Sequence, residues 1–192
     1  MFLAYYFLEK NEEKNLRKQE HDVGRALLSF LLRSQGLDPD TISIQKEAGG
    51  RPYIENRPAL DFNITHADRL VACALGVGEG RVGIDAEPEG AGWSEERRRR
   101  LAERFFSERE RQALASGDGS FAEIWTAKEA FLKYTGEGLS RNLRQIDTQA
   151  LPPELKLHRL RCETYVLTLC VEKNRVNTVE ILRPKESELL LF

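Results

Sequence analysis

The sequence predicts an α+β protein, and three observations carry that prediction. Apolar residues recur at helical spacing over residues 21–35 and 121–135. Short runs of β-branched and small apolar residues, punctuated by Gly and Pro, recur between residues 41 and 87 and again between 154 and 182. Each half of the chain therefore mixes helix with antiparallel strands in similar proportion, and no residue-level repeat relates the halves.

In chain order, residues 2–8 (FLAYYFL) read as a first strand, since seven apolar residues without a preceding basic segment do not make a signal peptide. A polar stretch from Lys10 to Glu20 leads to a helix over 21–35, whose buried face is set by Val23, Leu27, Phe30 and Leu31 and whose end is set by Gly36. Strands are expected at 41–46, 60–65, 70–76 and 81–87, separated by Gly49-Gly50, Pro58 and Gly78. Residues 88–93, with Pro88, Gly90 and Gly92, form the candidate linker, which divides the chain into α+β subdomains 1–88 and 89–192. Helices follow at 94–105, 108–116 and 121–135. Ser107 with Glu110 and Ser120 with Glu123 have the spacing of capping boxes for the second and third. Strands near 154–160, 164–171 and 176–182 complete the chain.

A chain of 192 residues can bury a sizeable core as one large domain or two small subdomains. Charged residues make up 31% and nearly balance at a net −2, which argues against coating a polyanion, so nucleic acid is not an expected partner. Cys73, Cys162 and Cys170 are odd in number, lack metal-ligand spacing and suit a reducing compartment as small buried hydrophobes. No apolar stretch approaches the ~20 residues that a membrane span needs. A soluble cytoplasmic protein is the expectation.

Two runs concentrate the chemistry. In VGIDAE, Asp85 and Glu87 lie two residues apart on an expected strand, so both carboxylates point to one face. In WTAKEAFLK, Glu129 and Lys133 lie one helical turn apart at the edge of a stripe formed by Phe121, Ile124, Trp125, Phe131 and Leu132. Three carboxylates and one lysine suit an oxygen-ligated cation beside a phosphate. Each run also has an ordinary reading: paired carboxylates on a strand are common, and a Glu-to-Lys pair at i,i+4 contributes only about 0.2–0.5 kcal/mol.

Together and in this order, the runs resemble the signatures of the larger, surfactin-synthetase-activating (Sfp-like) 4′-phosphopantetheinyl transferases. Gly83-Ile84-Asp85-Ala86-Glu87 resembles that family's G-[IV]-D-x-E, and Phe106-Ser107-Glu108-Arg109-Glu110 its F-[ST]-x-x-E. The run from Trp125 to Lys133 is similar to W-[ST]-x-K-E-[AS]-x-x-K. Upstream, Gly50-Arg51-Pro52 and Phe62-Asn63-Ile64-Thr65-His66 resemble G-[KR]-P and F-N-[IL]-[ST]-H, so the likeness covers residues 50 to about 140. It implies two similar α+β subdomains related by a pseudo-two-fold, the active site in the cleft between them, and a monomer. It also implies transfer of 4′-phosphopantetheine from coenzyme A to a serine of an apo acyl or peptidyl carrier protein.

Breaking a pyrophosphate develops charge on phosphate oxygens, and a hard cation stabilises it. Magnesium, or manganese, on Asp85, Glu87 and Glu129 is therefore expected. Lys133 is the candidate to neutralise or protonate the leaving 3′,5′-ADP phosphate, and Glu129 to accept the serine proton, with Glu110 second. Arg51, Thr65 and His66 are expected at the coenzyme through the family motifs; alone, Arg51 reads as a surface arginine and His66 as a satisfied histidine. The position of Arg25 on the first helix resembles that of a coenzyme-binding arginine of the family, and Lys14, Arg17 and Lys18 are expected at the 3′-phosphate. Lys128 sits near the centre of the apolar stripe. Its head is expected on a coenzyme phosphate or a metal carboxylate, or else stretched along apolar surface to water or another carboxylate. The run Arg97 to Arg100 either steers an acidic carrier protein or is a solvated face paired with Glu95, Glu96 and Glu103. The apolar end, Leu189 to Phe192, either docks on the core or binds a partner. Two other classes fit less well. A nuclease or phosphodiesterase would need a path for nucleic acid, and a catalytically silent binder of coenzyme A or carrier protein would not need the intact carboxylates.

Overall fold

The computed structural model describes residues 1–9, 16–78, 80–90, 93–138, 143–176 and 178–189. The α+β expectation holds. The first sheet contains β1 (Phe2–Phe7), β4 (Leu60–Ala67), β5 (Leu70–Val77) and β9 (Glu180–Leu182) in the order β4-β5-β1-β9. Its pairs are antiparallel except β1 with β9, where Phe2 to Ala4 run parallel to Glu180 to Leu182. The second sheet, wholly antiparallel, contains β6 (Val82–Pro88), β7 (Leu155–Cys162) and β8 (Tyr165–Glu172) in the order β6-β8-β7. A hairpin of β2 (Ile44–Lys46) and β3 (Pro52–Ile54) forms a separate two-stranded sheet, whose Ile54 packs into the core with Leu60 and Phe62.

Strand alternation builds the layers. Leu3 and Tyr5 of β1 and Ala72 and Ala74 of β5 meet Val82, Ile84, Ala86, Leu167 and Leu169 in a core between the two sheets. The opposite face of the first sheet, with Ala4, Val71, Cys73 and Leu75, packs under Leu27, Leu28, Leu31 and Leu32 of α1 (Leu16–Ser34). Outside the second sheet, Cys170 packs with Ala130, Phe131 and Leu132 of α4 (Phe121–Thr135). Because Val82, Ile84 and Ala86 point into the inter-sheet core, Gly83, Asp85 and Glu87 point toward α4.

Between β6 and α4 run α2 (Glu95–Phe105) and α3 (Glu108–Ser116). Ser107 and Ser120 form complete capping boxes with Glu110 and Glu123, and Gly117 and Gly136 end α3 and α4 in the left-handed conformation. The bounds of α3 and α4 are those the capping residues indicate. Elsewhere the structure differs. Helix α1 begins at Leu16, because the polar segment 16–20 is made of good helix formers, whereas the apolar spacing starts only at Val23. The strand expected at 41–46 opens instead with a 3-10 turn at Pro39–Thr41, where Asp38 accepts from Asp40 N and Pro39 fits the first helical position. The strand expected over 176–182 shortens to β9, and a short helix α5 (Glu186–Leu189) follows it. Leu189 is buried against the α1 core, while the rest of the apolar end, 190–192, lies outside the described residues. No described helix is long and apolar enough to cross a membrane.

Candidate functional site

Strands β4 and β6 are edges of different sheets, and side chains join them where no ladder does. Asp61 Oδ2 accepts from Val82 N at 2.7 Å, and Asn63 Oδ1 accepts from Ile84 N at 3.0 Å. Two buried backbone donors are thereby satisfied, and the register of β6 against β4 is set. On its other side β6 meets the backbone of α4 at Gly83, where an added Cβ would lie 2.0 Å from Ala130 O and 2.5 Å from Tyr134 N. Only a residue without a side chain permits that approach. The glycine of the G-I-D run therefore brings Asp85 within reach of α4.

Lys133, in the last turn of α4, crosses the gap. Its Nζ donates to Asp85 Oδ1 at 2.7 Å and to Thr65 Oγ1 at 3.1 Å, while Thr65 Oγ1 donates to Asp85 Oδ1 at 3.1 Å. In this three-residue knot Thr65 is buried and Asp85 is only 7% exposed, while the Lys133 side chain keeps 29% of its surface open. Burial, then the charges of Asp85 and Glu129, pushes the Glu87 carboxyl up to about 7. Glu129 is also raised, by burial first and Asp85 second, with Lys133 opposing. Glu87 and Glu129 thus both feel the Asp85 charge, with the Lys133 ammonium opposing it. Among the described residues, however, no three His, Cys, Asp or Glu side chains stand together as a metal-ligand group, and the ammonium of Lys133 occupies one oxygen of Asp85. The donor set fits a hard cation by its chemistry, all carboxylate oxygen and mutually repelling.

Other expected site residues fall in three places. His66 is open, with its side chain 58% exposed and Nδ1 3.5 Å from Glu20 Oε1 of α1. Arg25, Arg17 and Lys18 are exposed on α1, and Lys14 lies outside the described residues. Gly24 lets that helix press on β4, since a Cβ there would lie 2.9 Å from Ile64 Cγ2.

Arg51, Lys128 and Glu110 are corrections. Arg51 was expected to fork a coenzyme phosphate, but its side chain is 5% exposed and paired with Asp61 at 2.5 Å. For Lys128 two places were open: the coenzyme or a metal carboxylate, or another carboxylate reached along apolar surface. The structure corrects the first and shows the second, its Nζ contacting Glu110 Oε2 at 2.7 Å and donating to Leu143 O at 2.9 Å and Ile146 O at 2.5 Å, with no exposure. Glu110, the second candidate base, is equally enclosed: it accepts from Ser107 N, Thr148 N and Thr148 Oγ1. A carboxylate capping its own helix and neutralising a buried lysine has no face left for a substrate proton. Asp61 and Asn63 organise the site but were assigned no role from sequence; Asn63 lies inside the F-N-I-T-H run, and Asp61 carries no motif signal.

One depression adjoins the knot: it has a volume of about 300 Å³ and is lined by Gly50, Arg51, Pro52, Ile64, Glu129 and Lys133. A second, of about 190 Å³, is lined by Glu87, Trp93, Arg98 and Phe121 and by none of the three knot residues. A larger groove of about 550 Å³, between Arg109, Asp118, Thr148 and Arg159, contains none of the knot residues. In the run Arg97 to Arg100, Arg97 lies over the Trp93 ring at 4.8 Å and Arg98 donates to Trp93 O and Gly90 O, whereas Arg99 is exposed.

The family model of the 4′-phosphopantetheinyl transferase superfamily matches residues 81–181. The chain is 34% identical over 149 residues to a 4′-phosphopantetheinyl transferase of Bacillus subtilis, covering 72% of this chain and 63% of that protein. It is 32% identical over 150 residues to 4′-phosphopantetheinyl transferase Sfp of Bacillus subtilis (strain 168), covering 72% and 64%. It is also 32% identical over 146 residues to 4′-phosphopantetheinyl transferase HetI of Nostoc sp., covering 71% and 60%. The match thus spans a little under two thirds of the length of these relatives.

Proposed function

The chain belongs to the 4′-phosphopantetheinyl transferase superfamily, and from that premise we propose that it transfers the 4′-phosphopantetheine of coenzyme A to a serine hydroxyl of an apo acyl or peptidyl carrier protein. The observation that carries this reading is the knot of Lys133, Asp85 and Thr65, with Lys133 and Glu129 lining one depression and Glu87 another.

In the reaction the serine oxygen bonds to the phosphorus bearing pantetheine, and the bond from that phosphorus to the bridging oxygen breaks. Adenosine 3′,5′-bisphosphate leaves. Lys133, whose ammonium rests on Asp85 midway along β6, gives charge or a proton to the departing phosphate in this reading. Glu129, its carboxyl held above the usual range by burial, takes the serine proton. Asp85, Glu87 and Glu129 are the residues that would hold magnesium or manganese. When bound, that ion neutralises charge on the pyrophosphate oxygens. Thr65 orients Asp85 and Lys133 by hydrogen bonds to both. Exposed His66 and Arg25 are coenzyme contacts in this reading. It also makes the protein a cytoplasmic monomer with subdomains 1–88 and 89–192 about a central cleft, a compartment consistent with three free, buried cysteines.

Intact-protein mass spectrometry of apo carrier proteins incubated with this protein, coenzyme A and magnesium tests the reading. A gain of one phosphopantetheine that disappears with chelator is the expected result. No gain on any carrier, with coenzyme A binding retained by calorimetry, would make the protein a silent binder instead.

A further inference from the structure

Arg51 is where the structure departs furthest from what its motif suggests. A guanidinium has five N–H groups, and every one of Arg51's has a protein acceptor. Nε donates to Lys133 O at 2.9 Å. Nη1 donates to Pro52 O at 3.3 Å and Asp61 Oδ1 at 3.0 Å, and Nη2 to Asp61 Oδ2 at 2.5 Å and Val82 O at 3.0 Å.

Two of these acceptors are the backbone of the knot's own elements. Lys133 O belongs to the last turn of α4, where carbonyls lack an intrahelical partner and a positive charge is favourable. Val82 opens β6 and is gripped at both ends, its N–H by Asp61 and its carbonyl by Arg51. Asp85 follows three residues later on the same strand. One guanidinium therefore holds both the backbone that carries the Lys133 ammonium and the strand that carries its Asp85 partner. A lysine at position 51 would have three donors on a single nitrogen and could not span the same acceptors.

We propose that Arg51 is a positioning residue, which sets Lys133 and Asp85 against each other through the backbone of α4 and β6 and, with all five donors committed, does not bind a coenzyme phosphate. This inference rests on the reading of Lys133 and Asp85 as the transfer site. If it holds, loosening Arg51 displaces reacting groups without removing a coenzyme contact, and small displacements slow a chemical step by as much as about a hundredfold.

The test compares wild type, Arg51→Met and Arg51→Lys. The second variant keeps a positive charge beside Asp61 and carries the test if the first does not fold. ¹H–¹⁵N spectra of the lysine ammonium groups report on Lys133 directly, with its resonance assigned from Lys133→Gln. In wild type it should exchange slowly with water; in the variants it should disappear or move to the position of solvated lysines. In turnover, kcat should fall at least roughly tenfold while KM for coenzyme A stays within about twofold. An unchanged Lys133 resonance overturns the proposal. So does a KM for coenzyme A that rises about tenfold at constant kcat, which would make Arg51 a coenzyme ligand. The spectra decide the positioning role whether or not wild type transfers phosphopantetheine, so failure of the functional reading is separable from failure of this one.

Discussion

Lys128 Nζ lies 2.7 Å from Glu110 Oε2, and neither side chain has any solvent exposure. The lysine also reaches two backbone carbonyls, and the glutamate accepts from Ser107 and Thr148, so the pair ties α3, α4 and residues 143–148 into one satisfied node. Such a node is costly to break from one side, since the remaining charge is left in a dry interior.

Lys128→Met should therefore destabilise the protein by about 3–5 kcal/mol, while the fraction that stays folded keeps its KM for coenzyme A. Urea denaturation with parallel kinetics checks both halves. A well-folded variant with a raised KM would restore Lys128 to the coenzyme site.

Gly83→Ala should also be damaging, for a steric reason. The new methyl would meet Ala130 O at 2.0 Å and Tyr134 N at 2.5 Å, both backbone atoms that cannot rotate away. Overpacking of that kind costs about 1–3 kcal/mol or more, and pushing α4 off β6 would also part Lys133 from Asp85. Gly119→Ala is the control, because its nearest neighbours are Ile124 side-chain atoms at 3.8 Å. Similar melting temperatures for the two variants would rule out the close approach as the reason for glycine at 83.

These residues also show what was legible before the structure. Capping chemistry and apolar spacing are local, and they located α3 and α4 at both ends. Period-two alternation put Asp85 and Glu87 on one face, and the structure turns that face to α4. Motif membership could not say which charged residues face a substrate. Lys128 and Lys133 lie in one nine-residue run, yet one is sealed against Glu110 and the other closes on Asp85. That difference depends on how α4 rotates against the second sheet, a non-local property. The joining of β4 to β6 by Asp61 and Asn63 was equally hidden, because side-chain-to-backbone bonds between two sheets leave no periodic trace.

Lys133→Ala should slow transfer more than it weakens coenzyme binding, because its charge is needed most as the leaving group departs. A fall in kcat of about 10²-fold or more, the usual range for a lost proton donor, with a small change in KM is the expected pattern. Asp85→Ala and Glu129→Ala should abolish transfer while circular dichroism shows an intact fold. If Lys133→Ala moves only KM, the lysine is a ground-state anchor; if either carboxylate variant retains turnover, the metal assignment fails.

The final prediction concerns pH and lies away from the site. His158 on β7 has a buried Nε2 with no hydrogen-bond partner. By strand alternation it shares a face with Leu160 and Cys162, which pack on the inter-sheet core. Burial first, and Lys156 second, lowers its pKa from the ordinary value of 6.5. The unfolded chain therefore takes up this proton at higher pH than the folded one. Stability associated with neutral His158 is fully present above about 6.5 and is lost as pH falls through the folded value. His158→Leu removes both the titration and the unpaired nitrogen. Thermal melts at pH 7.5 and 5.5 should show a smaller acid-induced drop in Tm for the variant than for wild type. Equal drops would mean that His158 keeps access to water in the folded protein and charges there without penalty.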